Sequence, residues 1–178
     1  MERKIILRST LLFLVVLIAS NCYADINGTV IDAETGNPIE GAVVLVEWTK
    51  TKGLPGATYH ETYKVFEALT DKEGRITISG VFDPLVDPPD ITIYKQGYVA
   101  WNNKSIFPDY RKRSDFKLRN NYVFELEKFK REYTYDAHTE FIHGAIGTGA
   151  IEEKKLMMKA IEWEEGKAFQ ERRTRKSN

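Results

Sequence analysis

Cysteine is almost absent from the 178-residue chain, and its single copy is Cys22. A disulfide needs two cysteines, and a zinc site built on thiolates needs several. The chain beyond Cys22 therefore forms no internal disulfide and offers no thiolate nucleophile. Its stability has to come from a hydrophobic core, and roughly 150 residues are enough for one domain with a sizeable core.

An excess of charge of one sign is also missing, since the chain has 26 basic and 26 acidic residues. Without its first 24 residues it has 23 basic and 25 acidic residues, a net charge of −2. Proteins that bind nucleic acid through its phosphates usually carry a basic excess. We therefore expect no nucleic-acid partner.

Only one long apolar run is present, and it lies near the N-terminus. Three basic residues among the first eight precede an uncharged stretch at residues 11 to 19, and the small Ala24 follows. This order is typical of a secretory signal peptide over residues 1 to 24, with cleavage after Ala24. The run is shorter than the roughly 20 residues that span a bilayer, so no transmembrane segment is expected after cleavage. The predicted location is periplasmic or secreted, and a lipoprotein acylated at Cys22 is the alternative.

Motifs of common catalytic and phosphate sites are missing as well. Gly36 and Gly41 precede a predicted strand and lack the Lys-Ser/Thr pair of a phosphate-binding loop. Ser79 and Ser105 lack the G-x-S-x-G context of an exposed nucleophile. The acidic residues of the turns match no calcium-loop spacing. We therefore predict no catalytic residue, no metal and no cofactor.

The chain does contain a series of short β-branched segments separated by turn residues. Residues 42 to 48, AVVLVEW, form an almost unbroken apolar run, which indicates a strand covered on both faces. Residues 59 to 69 and 75 to 79 flank the turn DKEG and predict a hairpin. About seven strands at this spacing predict a mainly β protein, with a β-sandwich over residues 25 to 130.

The composition changes after Tyr135, and residues 131 to 178 are predicted to be a helical extension. Met157, Ile161 and Ala168 recur at helical intervals, which predicts a C-terminal α-helix over about residues 150 to 172. One hypothesis is that this helix folds back on the sandwich. The other is that Met157, Ile161 and Phe169 meet a partner helix or a membrane surface.

Several motifs follow one another in order: GTVID, TGNPIEGAVVLV, LTDKEGRITISGV, ITIYKQGY and a last strand, NYVFELEKF. In this order they resemble the carboxypeptidase regulatory-like domain over residues 25 to 130. The resemblance implies a seven-stranded, transthyretin-like β-sandwich with Greek-key connections and an accessory role without catalysis. The longer loops at residues 49 to 58 and 102 to 118 depart from the compact pattern of that family.

Tyr133, Tyr135, His138 and His143 lie within eleven positions and are the nearest approach to a metal site. They are similar in type to the iron ligands of intradiol dioxygenases, whose sandwich is related but whose ligands are spread over it. On a helix, His138 and His143 would be about 140° apart, so one face would not hold both. Packing or surface roles are the alternative.

Aromatic residues beside the polar loop are the best binding candidates. Tyr98, Trp101 and Tyr110 flank the loop that begins Asn102-Asn103, and flat rings beside amides and bases suit carbohydrate or peptide. The alternative is that Tyr98 and Trp101 close one end of the sandwich.

The same loop carries Lys104, Arg111, Lys112 and Arg113. These residues could meet an acidic glycan or a lipid head group, or they could form a solvated charge run. The sequence thus predicts an exported, non-catalytic module that binds an unknown envelope protein or glycan. A carbohydrate-binding module is the alternative, and a metal-dependent enzyme is the third hypothesis.

Overall fold

The computed structural model describes residues 22 to 177. Its elements in chain order are β1 (Cys22–Tyr23), β2 (Ile26–Asp32), β3 (Val43–Leu54), β4 (Ala57–Leu69), β5 (Arg75–Ile78), β6 (Val81–Phe82), β7 (Asp90–Tyr94), β8 (Trp101–Asn102), β9 (Ser105–Ile106), β10 (Arg111–Lys112), β11 (Tyr122–Leu126), α1 (Tyr135–Ile146), a 3₁₀ turn (Ile151–Glu153) and α2 (Lys155–Ser177). The apolar run of the predicted signal peptide lies outside the described residues, and cleavage after Ala24 stays a prediction.

Seven of these strands form two sheets. One sheet has the order β11-β2-β5, with β11 parallel and β5 antiparallel to β2. The other has the order β4-β3-β7-β8, and all its pairs are antiparallel. The remaining strands form two short ladders, β1 with β6 and β9 with β10. The predicted mainly β sandwich with a helical C-terminus is confirmed.

The first half of strand β3, Val43 to Trp48, is covered on both faces, as its apolar run predicted. Val44, Val46 and Trp48 belong to the core between the two sheets. Val43 and Leu45 point the other way, into a second buried cluster with the helices. Successive side chains of a strand alternate between faces, so a continuous apolar run can serve two cores at once.

Helix α1 lies within the predicted helical extension of residues 131 to 178, but only the second helix was placed there from the sequence. Thr134 caps the helix, since its side chain accepts a hydrogen bond from Ala137 N at 3.2 Å. His138, Phe141, Ile142 and Ile146 are buried, as is Thr139, and the buried positions recur at the three- to four-residue intervals of a helix face. Helix α2 runs back beside α1 and covers the same face of the four-stranded sheet.

The packing of α2 corrects part of the partner hypothesis. Met157 and Ile161 have no exposed surface and belong to the second cluster, because α2 folds back on the sandwich. Phe169, nearer the C-terminus, is more than half exposed. Of the three residues, only Phe169 is free to meet another molecule. In the described part of the chain, neither helix combines the length and the apolar character needed to cross a membrane.

The predicted hairpin of residues 59 to 69 with 75 to 79 is wrong. The turn itself forms, since Gly74 N donates to Asp71 O at 2.9 Å and Gly74 has a positive φ of 69°. However, β4 pairs with β3 and β5 pairs with β2, in different sheets. Ile76 and Ile78 thereby face the core from the opposite layer, so the turn is a corner between sheets.

We expect the substitution Ile161→Ala to lower the free energy of unfolding by about 2–5 kcal/mol, because it leaves a cavity in the second cluster. Leu156→Ala in the same helix removes a partly exposed side chain and should change stability by about 0.5 kcal/mol. Urea unfolding of both variants measures the difference. If both substitutions lowered the free energy of unfolding equally, Ile161 would not be packed in the core as the structure has it.

Candidate binding groove

A groove of about 790 Å³ lies at the loop end of the sandwich, between parts of the polar loop and strand β11. The loop contributes most of residues 111 to 119, and β11 contributes Tyr122, Val123 and Glu125. Trp101 of β8 also lines it. Its volume suits a small ligand or a few units of a polymer.

The side chains of two asparagines fix the conformation at the start of the loop. Asn102 Nδ2 donates to Thr92 Oγ1 at 3.0 Å, and Asn102 Oδ1 accepts from the backbone N–H groups of Lys104 and Ser105. Asn103 Oδ1 accepts from Ile91 N at 2.8 Å. Their amide groups are therefore bonded within the protein.

Arg113 is the groove cation that makes the most contacts with the rest of the protein. Its guanidinium carbon lies 4.6 Å from the centre of the Trp101 ring, and its Nε donates to Asn102 O at 2.8 Å. Its Nη1 lies 3.4 Å from Asp115 Oδ2, and its side chain is only 13% exposed. Burial lowers the pKa of Arg113, although it remains a cation at neutral pH.

The three aromatic candidates do not form one face. Trp101 is 5% exposed and packs edge-on against Phe116 and Phe124 in the sandwich core. Arg113 covers its ring. A ligand therefore cannot stack on Trp101, and the alternative, that it closes the end of the sandwich, describes its position.

Tyr98 and Tyr110 have separate roles. Tyr98 donates its hydroxyl hydrogen to Asp32 Oδ2 at 2.9 Å and so joins two loops. Tyr110 is half exposed, has a φ of 57° and packs its ring 5.5 Å from that of Phe141 on α1. Of the three candidates, Tyr110 has the most exposed ring, and it lies outside the groove lining.

Asp32 ends strand β2 and shapes the turn that follows. Its Oδ1 accepts hydrogen bonds from the backbone N–H groups of Thr35 and Glu34, each at 2.9 Å. These bonds, led by that of Thr35 and joined by the Tyr98 hydroxyl, lower the pKa of Asp32 to about 2. Lys128 Nζ lies 3.6 Å from Asp32 Oδ2. Asp32 is thus satisfied by the chain itself, which is a structural role.

His138 lies in a closed polar network under α1 and α2. Its Nε2 accepts from Ala100 N at 2.8 Å, so the ring hydrogen is on Nδ1, which donates to Glu164. Glu164 also accepts from the Tyr94 hydroxyl at 2.7 Å, and His138 and Glu164 are both buried. Burial and the Glu164 carboxylate raise the pKa of Tyr94. Both ring nitrogens of His138 are occupied.

Of the other residues compared with iron ligands, Tyr133 lies near His138, since both rings pack against Phe107 and Phe129. His143 is exposed and pairs with Glu165 at 2.8 Å, and Tyr135 stacks on Phe129. Within residues 22 to 177, no three histidine, cysteine, aspartate or glutamate side chains are close enough to hold a metal ion. His138 and His143 have different partners, Glu164 and Glu165, and the two tyrosines pack on aromatic rings, so packing and surface roles describe these four residues.

A buried lysine that the sequence did not reveal joins the helical layer to β3. Lys154 is fully buried, and its Nζ donates to Glu47 Oε2 at 2.7 Å and to Ile146 O at 2.5 Å. Glu47 Oε1 accepts from the Thr62 hydroxyl at 2.5 Å. The charge is compensated inside the protein, so Lys154 is a structural residue.

No protein-family model matches the chain, and no curated protein matches it in sequence. Similar solved structures include a streptococcal ancillary pilin, with 16% identity and a TM-score of 0.33 over 62% of this chain. A 3-chlorocatechol 1,2-dioxygenase from Rhodococcus opacus 1CP has 16% identity and a TM-score of 0.38 over 62%. The shaft pilin SpaA from Lactobacillus rhamnosus GG has 14% identity and a TM-score of 0.34 over 61%.

The chain spans only 30%, 62% and 48% of the lengths of these three chains. With identities of 14 to 16% and TM-scores below 0.5, these structures support no conclusion about the family or role of this chain. The resemblance to carboxypeptidase regulatory-like domains stays a prediction.

The low pKa of Asp32 predicts a specific loss of stability in acid. Because its pKa is depressed, Asp32 stabilises the fold above the unfolded value near 4 and loses this contribution as the pH falls towards about 2. The stability difference between the wild-type protein and Asp32→Asn should therefore shrink between about pH 4 and pH 2. Urea unfolding at several pH values measures it. A difference independent of pH would show that the charge of Asp32 is irrelevant.

The closed network predicts a large contrast between two neighbouring glutamates. Glu164→Ala leaves the Tyr94 hydroxyl and the His138 ring without their acceptor and should cost about 3–5 kcal/mol. Glu165→Ala removes a partner of the exposed His143 and should cost less than about 1 kcal/mol. Thermal and urea unfolding compare the two variants. Similar costs would mean that the buried network is not important for stability.

Proposed function

We propose that this chain is an exported, non-catalytic β-sandwich module that binds a partner or polymer of the cell envelope in the groove beside β11. The single observation that carries the proposal is the ordered Arg113 in an open groove. Its guanidinium group is stacked on Trp101 and bonded to Asn102, so it is held in place before any ligand arrives. Binding loses less conformational entropy when the side chain that meets the ligand is already held in its bound position.

The distribution of polar groups supports binding without catalysis. The histidine and glutamate that most resemble an acid–base pair, His138 and Glu164, are buried and bonded to Ala100 and Tyr94. General acid–base catalysis needs a group within hydrogen-bond reach of a substrate. Neither side chain has a surface from which it can reach one.

Two features of the sequence support export and an accessory role. The basic, apolar and small residues over positions 1 to 24 are typical of a secretory signal. The motifs over residues 25 to 130 resemble carboxypeptidase regulatory-like domains, which are accessory modules. The domain that follows the signal has no disulfide after Cys22, so its stability comes from its hydrophobic core.

Filling the groove tests whether it is the binding site, independently of the ligand's charge. Val123 is 46% exposed on β11 and lines the groove, so Val123→Trp should fill part of it and leave the fold intact. Leu69→Trp is the matched control, since Leu69 is 53% exposed on β4 and lies outside this groove. The probes are neutral and acidic polysaccharides, peptidoglycan fragments and synthetic peptides, measured by biolayer interferometry.

We expect at least one probe to bind wild-type protein and the Leu69→Trp control equally, and to bind Val123→Trp at least about tenfold more weakly, a loss of about 1.4 kcal/mol. Unchanged binding of every probe by Val123→Trp would contradict the groove as the site. If chromatography shows that the protein converts a bound probe into products, the non-catalytic role is contradicted.

A further inference from the structure

The groove is surrounded by more positive than negative charge, although the chain from Asp25 onwards has a small negative net charge. Residues 104 to 119 contain six basic and two acidic residues. Five of the basic residues line the groove: Arg111, Lys112, Arg113, Lys117 and Arg119. Clustered charge of one sign in a concave surface raises the local concentration of ligands of the opposite sign.

Most of this positive charge is not neutralised by the protein. Within residues 22 to 177, Lys112 and Lys117 have no acidic side chain at ion-pair distance. Arg119 lies over the Tyr122 ring at 5.5 Å. Arg111 meets only Asp109, at 3.6 Å, and both side chains are more than half exposed. These cations are therefore available to an anionic ligand.

Arg113 differs from the other cations because it is partly desolvated. Its side chain is largely buried, yet its one acidic neighbour, Asp115, lies at 3.4 Å and is mostly exposed. Nε is already bonded to Asn102 O, whereas Nη2 has no hydrogen-bond partner within residues 22 to 177. A planar guanidinium that is partly desolvated and has an unused N–H group binds an oxyanion favourably. The oxyanion accepts the hydrogen bonds that the guanidinium lost to water on burial.

From these observations we infer that the groove binds an acidic oligosaccharide, with a carboxylate of the sugar chain at Arg113 and further carboxylates at Lys112 and Lys117. This inference rests on the proposed function, since it names the ligand class of the same groove. Glu125 and Glu127 also line the groove and can accept hydrogen bonds from sugar hydroxyls. A mixed lining of cations and acids matches a ligand that carries both carboxylates and hydroxyls.

The shape of the site favours a chain-like ligand over a membrane surface. A bilayer presents a nearly flat layer of phosphate, which basic residues on a protruding surface reach best. Here the cations line a concavity, and the two glutamates beside them would face the anionic head groups. An oligosaccharide can enter the concavity, and its separated charges can match separated cations.

Isothermal titration calorimetry with an oligogalacturonate tests the inference on the purified protein. A neutral dextran oligosaccharide and vesicles with and without phosphatidylglycerol serve as comparison probes. We expect the oligogalacturonate to bind, to bind more weakly as the salt concentration rises from about 0.01 M to about 0.15 M, and to exceed dextran at least about tenfold in affinity. Binding to dextran of equal strength, or no effect of salt, would overturn the acidic assignment.

Variants then test the individual cations. Arg113→Lys keeps the charge but loses the planar fork, and Lys117→Ala removes an exposed charge without touching the core. Each should weaken oligogalacturonate binding at least about threefold, because one charge-assisted contact is lost or impaired. Arg173→Ala, on the exposed side of α2, is the control and should bind like wild-type protein.

Circular dichroism shows whether Arg113→Lys is folded. If it is not, the binding measured for Lys117→Ala decides the test, because the Lys117 side chain is exposed. Unchanged binding by Lys117→Ala and by a folded Arg113→Lys would overturn the inference. Binding only to phosphatidylglycerol vesicles would overturn it in favour of a membrane surface. Charge-independent binding that Val123→Trp abolishes would overturn the ligand class and leave the proposed function standing, whereas no binding of any probe would end both.

Discussion

The first half of strand β3 has no side that faces water, and the rest of the architecture follows from this. Val44, Val46 and Trp48 need the second sheet to cover them, and Val43 and Leu45 need the helices. A fully buried aliphatic side chain contributes about 1.5–3 kcal/mol, so leaving either face open would forfeit a large part of the marginal stability of a domain. The second sheet and the helical layer therefore pack on opposite faces of the same strand, β3.

Covering β3 with helices also brings ionisable groups into the interior, and the buried Lys154, His138 and Glu164 each have a partner there. Lys154 meets Glu47, and His138 meets Glu164 and the backbone of Ala100. Removing one partner from such a buried pair is far more costly than forming the pair is favourable. These contacts join the helices to the sheet in one orientation, and they explain why the most enzyme-like side chains of the chain are structural.

The loop end combines rigid support with exposed charge. Asn102 and Asn103 use their amides to anchor the loop to β7 and the segment before it, and Trp101 provides a buried ring under Arg113. The aromatic side chain thus acts through the arginine and not as a stacking surface for a ligand. Lys112 and Lys117 line the concavity and have no ion-pair partner within residues 22 to 177, and the proposed binding role rests on this distribution of charge.

Local signals in the sequence were sufficient for most of the main strands, the doubly covered run of β3 and a C-terminal helix, because each depends on neighbours in the chain. Residues 49 to 58 were read as a loop, although they mostly belong to β3 and β4. The cap at Thr134 was also readable, although the sequence analysis did not place helix α1 separately within the helical extension. The pairing of β5 with β2, the parallel pairing of β11 with β2 and the burial of Met157 and Ile161 were decided only by the tertiary structure. So were the contacts of Arg113 with Trp101 and of His138 with Glu164. They join residues that are distant in sequence, and such contacts depend on how whole layers pack, which no local pattern of residues specifies.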